Sequence, residues 1–285
     1  LPLHVIDTLA EPAAEGVNDQ PLQAHLQTLE QLRLHKRFTV ILGNPPFSGV
    51  STHDVPWIGQ LLRGQSPAGT SSQLNPLTNY YQVNGEPLGE RKVWLQDDYV
   101  KFLRYCHWKI EQSGYGAVGL VTNHGYLDGP SFRGLRESLQ ETFDRIKILD
   151  LHGNQKKKER CPDGGPDENV FPISSGIAIG LFCRSNQPAE QVTVEHRDLW
   201  GSAADKLALL QAATTTPAKE MNCSLLTPKA PYFFLLPHDD RVSDEYQAGF
   251  SLCDVMTERS TAAVTARDGL VVGFDAQEIL TRLEL

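Results

Sequence analysis

The feature that most constrains this chain is a short apolar run that ends at two consecutive prolines. Phe38–Leu42 consists of apolar and β-branched residues, which is typical of a buried strand, and Gly43 leads from it into Asn44-Pro45-Pro46-Phe47. Each proline fixes its own φ at about −65° and restricts the residue before it, so the strand cannot continue. The sequence therefore predicts a strand followed by a rigid turn.

The turn offers two hydrogen-bond acceptors and an aromatic face. The Asn44 side-chain oxygen and the Pro45 carbonyl suit a planar amino group, because accepting both of its N–H bonds pulls the nitrogen toward a tetrahedral shape and frees its lone pair. Phe47 offers a flat face on which a heterocyclic base can stack, an interaction worth roughly 1–3 kcal/mol. We therefore predict that Asn44, Pro45, Pro46 and Phe47 are catalytic in methyl transfer to an exocyclic amine. The alternative is a tight turn without chemistry.

Composition limits the possible function classes. The 285 residues can form one large or two ordinary domains, and the 40% hydrophobic content is typical of a soluble globular protein. No apolar run is long enough for a membrane span, so we expect no membrane association and a cytoplasmic location. The scattered cysteines predict neither a disulfide framework nor a metal site. The net charge of −9 gives no general attraction for nucleic acid, so any DNA contact must be local.

The rest of the chain alternates apolar runs with amphipathic segments, which predicts a doubly wound α/β sheet. Strands are predicted at Leu3–Leu9, Ala117–Asn123, Arg145–Leu151, Ile177–Phe182 and Val192–Glu195, and helices at Pro21–Arg37, Tyr99–Ile110, Ser131–Phe143 and Ala203–Ala212. Residues 48–88 are rich in Gly, Ser, Pro and Asn and show little periodicity. They are predicted to form an irregular loop, a candidate lid over the substrate.

Several motifs, taken in chain order, resemble the methyltransferase region of the single-chain type ISP restriction-modification enzymes. These enzymes carry a gamma-class DNA adenine-N6 methyltransferase. The motifs are Asn44–Phe47, Trp94–Tyr99, Val121–Leu127, Phe132–Arg136, Ile148–Asn154 and Asp167–Phe171. The resemblance implies a Rossmann-like, S-adenosylmethionine-dependent methyltransferase sheet that is incomplete at its N-terminus.

The same resemblance assigns roles to residues outside the turn. Asp7, with the adjacent Thr8, matches the position that contacts the cofactor, and its alternative is an ordinary turn or cap residue. Phe171 precedes a predicted strand as part of a Phe-Pro pair, and it matches the second aromatic face around an extruded adenine. Phe47 and Phe171 are thus expected to stack the flipped base from both sides, unless Phe171 is only a core residue.

A dense basic cluster follows the strand that ends near Leu151. Its members are Lys156, Lys157, Lys158 and Arg160. A charge run of this kind is usually a solvated loop, and the alternative is a contact with DNA phosphates at the rim of the active site. In the second case, substitutions should weaken DNA binding without regard to sequence.

The resemblance also implies S-adenosylmethionine as cofactor, double-stranded DNA as substrate, and nuclease and helicase domains in the same polypeptide. Residues 1–213 are interpreted as the C-terminal part of the catalytic domain, from the motif III strand onward, and residues 214–285 as a linker and the start of a target-recognition region. Because the main cofactor loop is expected to be absent, we expect the isolated chain to be marginally stable, inactive and without appreciable cofactor affinity. Two alternatives remain: a ribosomal RNA guanine or protein glutamine methyltransferase, and an inert structural fragment.

Overall fold

A computed structural model describes residues 9, 20–47, 55–66, 78–89, 94–187, 189–213, 222–239, 241, 245–246, 248–250, 252–256 and 273–283. The chain divides into two compact units, Leu1–His238 and Asp239–Leu285. The first unit contains the central sheet. The described part of the second unit includes two short helices, Leu252–Val255 (α6) and Ala276–Leu283 (α7). The assignment of residues 1–213 and 214–285 to separate domains stays a prediction.

Within the described residues, the central sheet has six strands in the order β1-β4-β6-β5-β7-β8. The strands are β1 Val40–Gly43, β4 Gly116–Asn123, β5 Arg145–His152, β6 Ile177–Arg184, β7 Thr193–Asp198 and β8 Ser224–Leu226. β1, β4, β5 and β7 run in one direction, whereas β6 and β8 run against it. A separate hairpin is formed by Gln82–Val83 (β2) and Glu86–Pro87 (β3).

The helices occupy most of the predicted positions. They are α1 Gln20–Glu30, which continues as a π-helix over Gln31–His35, α2 Pro56–Leu62, α3 Asp98–Ser113, α4 Arg133–Thr142 and α5 Ala203–Ala213. α3 ends at Gly114, whose φ of 80° is the left-handed conformation that favours glycine. Among the described residues, no helix combines the length and the apolar character that a membrane span requires.

The two faces of the sheet differ in their packing. Alternate strand positions such as Val118, Ile146 and Phe182 belong to a large buried core that also contains residues of α2, α3 and α4. On the other face, the buried cluster within the described residues contains Leu151, Ile177 and Leu199, and the apolar side chains around it are only partly buried. We call these the thick face and the thin face of the sheet.

The structure confirms an α/β fold with a mostly parallel central sheet, but two sequence predictions are wrong in detail. The strict alternation of strands and helices breaks after β5, because residues 153–176 contain no helix and β6 returns antiparallel between β4 and β5. Residues 48–88 are not irregular throughout. They contain α2, which buries Trp57, Ile58, Leu61 and Leu62 in the core of the thick face, so this part is not a lid.

Candidate active site

The predicted catalytic turn follows β1 directly. β1 pairs in parallel with β4, so the turn lies at the carboxyl edge of these strands, where open α/β sheets place their ligands. Asn44 and Pro46 are exposed, Pro45 is buried and Phe47 is half-buried. The turn thus presents the Asn44 amide to solvent while Pro45 anchors the backbone.

The structure brings Phe47 and Phe171 together although they lie far apart in the sequence. Their ring centroids are 5.4 Å apart and the ring planes are inclined by 37°. A planar base stacked between two rings needs about 3.5 Å on each side, or about 7 Å between the rings. In this conformation the two phenylalanines therefore contact each other, and they must separate by about 2 Å before a base can enter.

The loop that carries Phe171 is fixed by the side chain of Asn169. The Asn169 Nδ2 group donates to the carbonyl oxygens of Gly153 at 3.2 Å and Ser175 at 2.7 Å, and its Oδ1 accepts from the Phe171 backbone N–H at 2.9 Å. Gly153 has a φ of +79°, and a Cβ there would lie 2.5 Å from the Asn169 Cα. Position 153 therefore requires glycine for both its conformation and its close approach to Asn169.

A buried ion pair fastens the same loop to α5. Lys206 Nζ lies 2.7 Å from Asp167 Oδ1, and both side chains are fully buried. The ammonium group also donates to the carbonyl oxygens of Leu151 and Glu168 at 2.7 and 2.6 Å. Asp167 in turn accepts the Gly153 N–H at 2.6 Å. Because the buried charges are paired and hydrogen-bonded, the pair holds the loop, the end of β5 and α5 in one arrangement.

The four residues of the basic cluster differ in their contacts. Lys157 Nζ lies 2.8 Å from Asp128 Oδ2, so its charge is paired, and Lys156 Nζ lies 3.4 Å from Ser175 Oγ. Lys158 and Arg160 are exposed and line a cavity of about 330 Å³ together with Asn154, Gln155, Glu159, Pro166 and Asp167. The DNA-phosphate role of all four basic residues stays a prediction.

A buried network of histidine and acidic side chains, not predicted from the sequence, connects the ends of β4 and β5. Asp150 accepts a hydrogen bond from His124 Nδ1 at 3.0 Å and from the His152 backbone N–H at 2.9 Å. Although burial acts in the opposite direction, the hydrogen bond and charge of His124 hold the pKa of Asp150 below its ordinary value. His124 Nε2 lies 2.9 Å from Asn154 Nδ2 on the other side of the ring.

His152 extends this network to β7. Its Nε2 lies 2.8 Å from Asp198 Oδ1, and its ring stacks on Trp200 with 3.3 Å between the centroids. Burial opposes protonation, but the carboxylates of Asp198 and Glu159 raise the pKa of His152 to about 9. His152 also has a left-handed backbone with a φ of 52°, where β5 departs from its regular pairing with β6. The network is therefore tightly built, and alternating acidic and histidine residues in β5 and β7 were its sequence signal.

Asp7 and Thr8, the predicted cofactor contacts, lie outside the described residues. The nearest described position is Leu9, which is fully buried, and its carbonyl accepts a hydrogen bond from Trp57 Nε1 at 2.9 Å. Their role stays a prediction.

No protein-family model matches the chain, and no curated protein matches it. Solved structures with a similar fold include the nuclease-deletion mutant of the type ISP restriction-modification enzyme LlaGI in complex with a DNA substrate mimic. That match has a TM-score of 0.67 and 18% identity, and it covers 95% of this chain and 21% of LlaGI.

Two further solved structures have a fold similar to that of this chain. The DrdV–DNA complex matches with a TM-score of 0.65 and 21% identity, covering 92% of this chain and 25% of DrdV. The ATP-dependent type ISP enzyme LlaBIII bound to DNA matches with a TM-score of 0.54 and 21% identity, covering 79% of this chain and 14% of LlaBIII. The likeness is one of fold, and the chain spans a quarter or less of these proteins.

Proposed function

We propose that this chain is part of a DNA methyltransferase that transfers a methyl group from S-adenosylmethionine to the exocyclic amine of adenine, within a restriction-modification system. The observation that carries the proposal is the contact between Phe47 and Phe171, which joins the Asn-Pro-Pro-Phe turn to a second aromatic motif at the carboxyl edge of the sheet. The fold likeness to restriction-modification enzymes solved with DNA supports the choice of substrate.

In the proposed reaction, adenine leaves the duplex and enters between Phe47 and Phe171. Stacking on both rings offsets the few kcal/mol that extrusion of the base costs. The exposed Asn44 amide oxygen and the Pro45 carbonyl accept the two N–H bonds of the amine, so its lone pair is directed at the methyl group. Pro46 limits the motion of the turn because its φ is fixed.

The proposal extends to the cofactor and partners. S-adenosylmethionine supplies the methyl group, and Asp7 and Thr8 would contact it. Nuclease and helicase domains of a longer polypeptide are the proposed partners, since the chain matches only 14–25% of the length of the three DNA-bound enzymes. Among the basic residues, Lys158 and Arg160 are better placed to bind DNA phosphate than Lys157, whose charge is paired with Asp128.

The decisive experiment measures transfer of radiolabelled methyl groups to duplex DNA by the longer polypeptide that the proposal requires. Asn44→Ala should lower turnover about 100-fold or more, the usual scale for losing one preorganised polar group in an active site. DNA affinity should change little, because the amide acts mainly as the amine loses planarity.

Asn186→Ala is the matched control. Asn186 is also exposed, but it follows the end of β6 at the opposite edge of the sheet, so its removal should leave turnover unchanged. Near-parental methylation by Asn44→Ala would contradict the proposed function.

A further inference from the structure

A second group of side chains, separate from the Asn44–Phe47 turn, has no part in the proposed methyl transfer. It lies at the ends of β5 and β7, where the parallel ladder places Ile148 opposite His196 and Asp150 opposite Asp198. Because side chains alternate along a strand, these positions share one face of the sheet. The ligand atoms of Asp150, His196 and Asp198 consequently lie within 4.8 Å of one another.

His196 is the member whose hydrogen bonding is incomplete. Its side chain is 1% exposed, and within the described part of the chain neither ring nitrogen has a hydrogen-bond partner. Nδ1 lies 3.8 Å from Asp198 Oδ2, which is too far for a hydrogen bond. A buried imidazole normally has its polar atoms satisfied, so this ring points to a ligand that accepts its lone pair.

The carboxylates of Asp150 and Asp198 are each oriented by a hydrogen bond from a histidine outside the group. His124 Nδ1 lies 3.0 Å from Asp150 Oδ1, and His152 Nε2 lies 2.8 Å from Asp198 Oδ1. Metal-binding carboxylates are commonly oriented by such hydrogen bonds from groups that do not touch the metal. The Asp198 side chain is 40% exposed, so one member of the group reaches the surface while His196 is buried.

We propose that Asp150, His196 and Asp198 bind one divalent transition-metal ion. Two metal–ligand bonds of about 2.1 Å span at most about 4.2 Å. The 3.8 Å between His196 Nδ1 and Asp198 Oδ2 lies within this limit, and ligand atoms up to 4.8 Å apart need to approach by about 0.6 Å at most. One imidazole nitrogen with two carboxylate oxygens suits zinc and its first-row neighbours, whereas Mg²⁺ favours oxygen ligands and retained water. Such an ion would fasten the end of β5 to the end of β7, because Asp150 belongs to β5 and the other two ligands belong to β7.

The test uses the 285-residue chain itself, so it does not depend on methyltransferase activity. The protein is stripped with a chelator, dialysed and titrated with Co²⁺, whose visible absorption reports coordination by nitrogen and oxygen. We expect one equivalent to bind, Zn²⁺ to displace it, and Mg²⁺ to have no effect. Zn²⁺ should also raise the thermal midpoint, because an ion that binds only the folded state stabilises it. Absence of a bound equivalent overturns the proposal.

Variants assign the ligands. His196→Gln and Asp198→Asn should each abolish stoichiometric Co²⁺ binding, and His152→Gln should weaken it by about 10–100-fold because Asp198 loses its support. The exposed His35 provides the control: His35→Gln should bind like the parent.

Asp198→Asn separates loss of the site from loss of the fold, because this side chain is 40% exposed and asparagine keeps an oxygen that can accept the hydrogen bond from His152. In the presence of chelator it should still unfold cooperatively, with a midpoint lowered only by the loss of its ion pair with His152, and the metal-dependent rise should disappear. If His196→Gln fails to fold, Asp198→Asn alone decides. Undiminished Co²⁺ binding by a folded Asp198→Asn variant overturns the assignment, even if the proposed methyltransferase function is correct.

Discussion

The thick and thin faces of the central sheet show how one scaffold combines rigidity with access. The thick face packs large side chains such as Trp108 and Tyr126 into a continuous buried core. On the thin face the apolar residues around Leu151, Ile177 and Leu199 stay partly exposed, and Phe47 and Phe171 are among them. The comparison indicates that stability resides mainly on the thick face, whereas Phe47 and Phe171 on the thin face stay partly exposed.

The largest expected effect on stability is the difference between leucine-to-alanine substitutions on the two faces of the sheet. Leu135→Ala should lower the free energy of unfolding by about 4–5 kcal/mol, because Leu135 is fully buried and its neighbours cannot collapse into the cavity. Leu199→Ala should cost about 2–3 kcal/mol, because the thin face can relax. Urea unfolding monitored by circular dichroism measures both. Equal losses would mean that the faces do not differ in rigidity.

The buried ion pair behind the Phe171 loop should give the next effect. Lys206→Met leaves the Asp167 carboxylate buried without its cation, and we expect a loss of about 3 kcal/mol. Adding Asp167→Asn should recover part of it, because the unpaired charge is removed and the Gly153 N–H keeps an acceptor. The double variant should therefore be more stable than Lys206→Met in the same urea experiment. If the double variant is less stable than Lys206→Met, the unpaired Asp167 carboxylate does not cause the loss of stability in Lys206→Met.

The third prediction concerns the pH dependence of stability that arises from His107, a buried residue on the thick face. Burial lowers the pKa of His107 to about 3, and the groups facing the ring are Tyr80, Glu111, Arg104 and Arg184. The folded state keeps the imidazole neutral, whereas the unfolded chain protonates it below about pH 6.5. The stabilisation from this residue is thus complete above pH 6.5 and is lost as the pH falls toward 3.

Comparison with His107→Gln isolates that contribution, because glutamine can still accept the hydrogen bond from Tyr80. Between pH 7 and pH 5 the parent should lose about 2 kcal/mol more stability than the variant. The other titrating groups are common to both proteins, so their effects largely cancel in the difference. Identical pH dependence would show that His107 takes up a proton in the folded state.

The smallest effect on stability is expected at the aromatic pair of the thin face. Phe171→Ala should cost only about 1 kcal/mol, because the ring is half-buried. In the longer polypeptide, however, the rise in fluorescence of 2-aminopurine at the target position should be lost, since one wall of the base site is missing. Phe171→Trp should retain much of the signal because it preserves a flat face. An unchanged signal in Phe171→Ala would identify Phe171 as a core residue.

Local patterns predicted most of the strands and helices, because periodicity reports which side of an element is buried. The strand before Asn44, the helix at Asp98–Ser113 and the strand at Gly116–Asn123 are where the sequence indicated them. The antiparallel course of β6 was missed because strand order depends on contacts between distant segments. The helix at Pro56–Leu62 was missed because its short apolar pattern lies between stretches rich in Gly, Ser and Pro.

The candidate site was predictable only in part, because it too depends on contacts between distant segments of the chain. The resemblance paired Phe47 with Phe171, and their rings are in contact, but the closed spacing of 5.4 Å could not be read from the sequence. The buried network around Asp150 was missed because its members lie on separate strands. A His-x-Asp pair on β7 becomes meaningful only when the ladder places Asp198 beside Asp150.

The position of β6 between β4 and β5 has a consequence for synthesis on the ribosome. β4 and β5 precede β6 in the chain, yet each forms its hydrogen bonds in the middle of the sheet with β6. At about 5–20 residues per second, the interval between the end of β5 and the end of β6 lasts about 2–6 seconds. Throughout that interval one edge of β4 and both edges of β5 are unpaired, because β7, the second partner of β5, follows β6 in the chain. Unpaired strand edges of this kind favour aggregation.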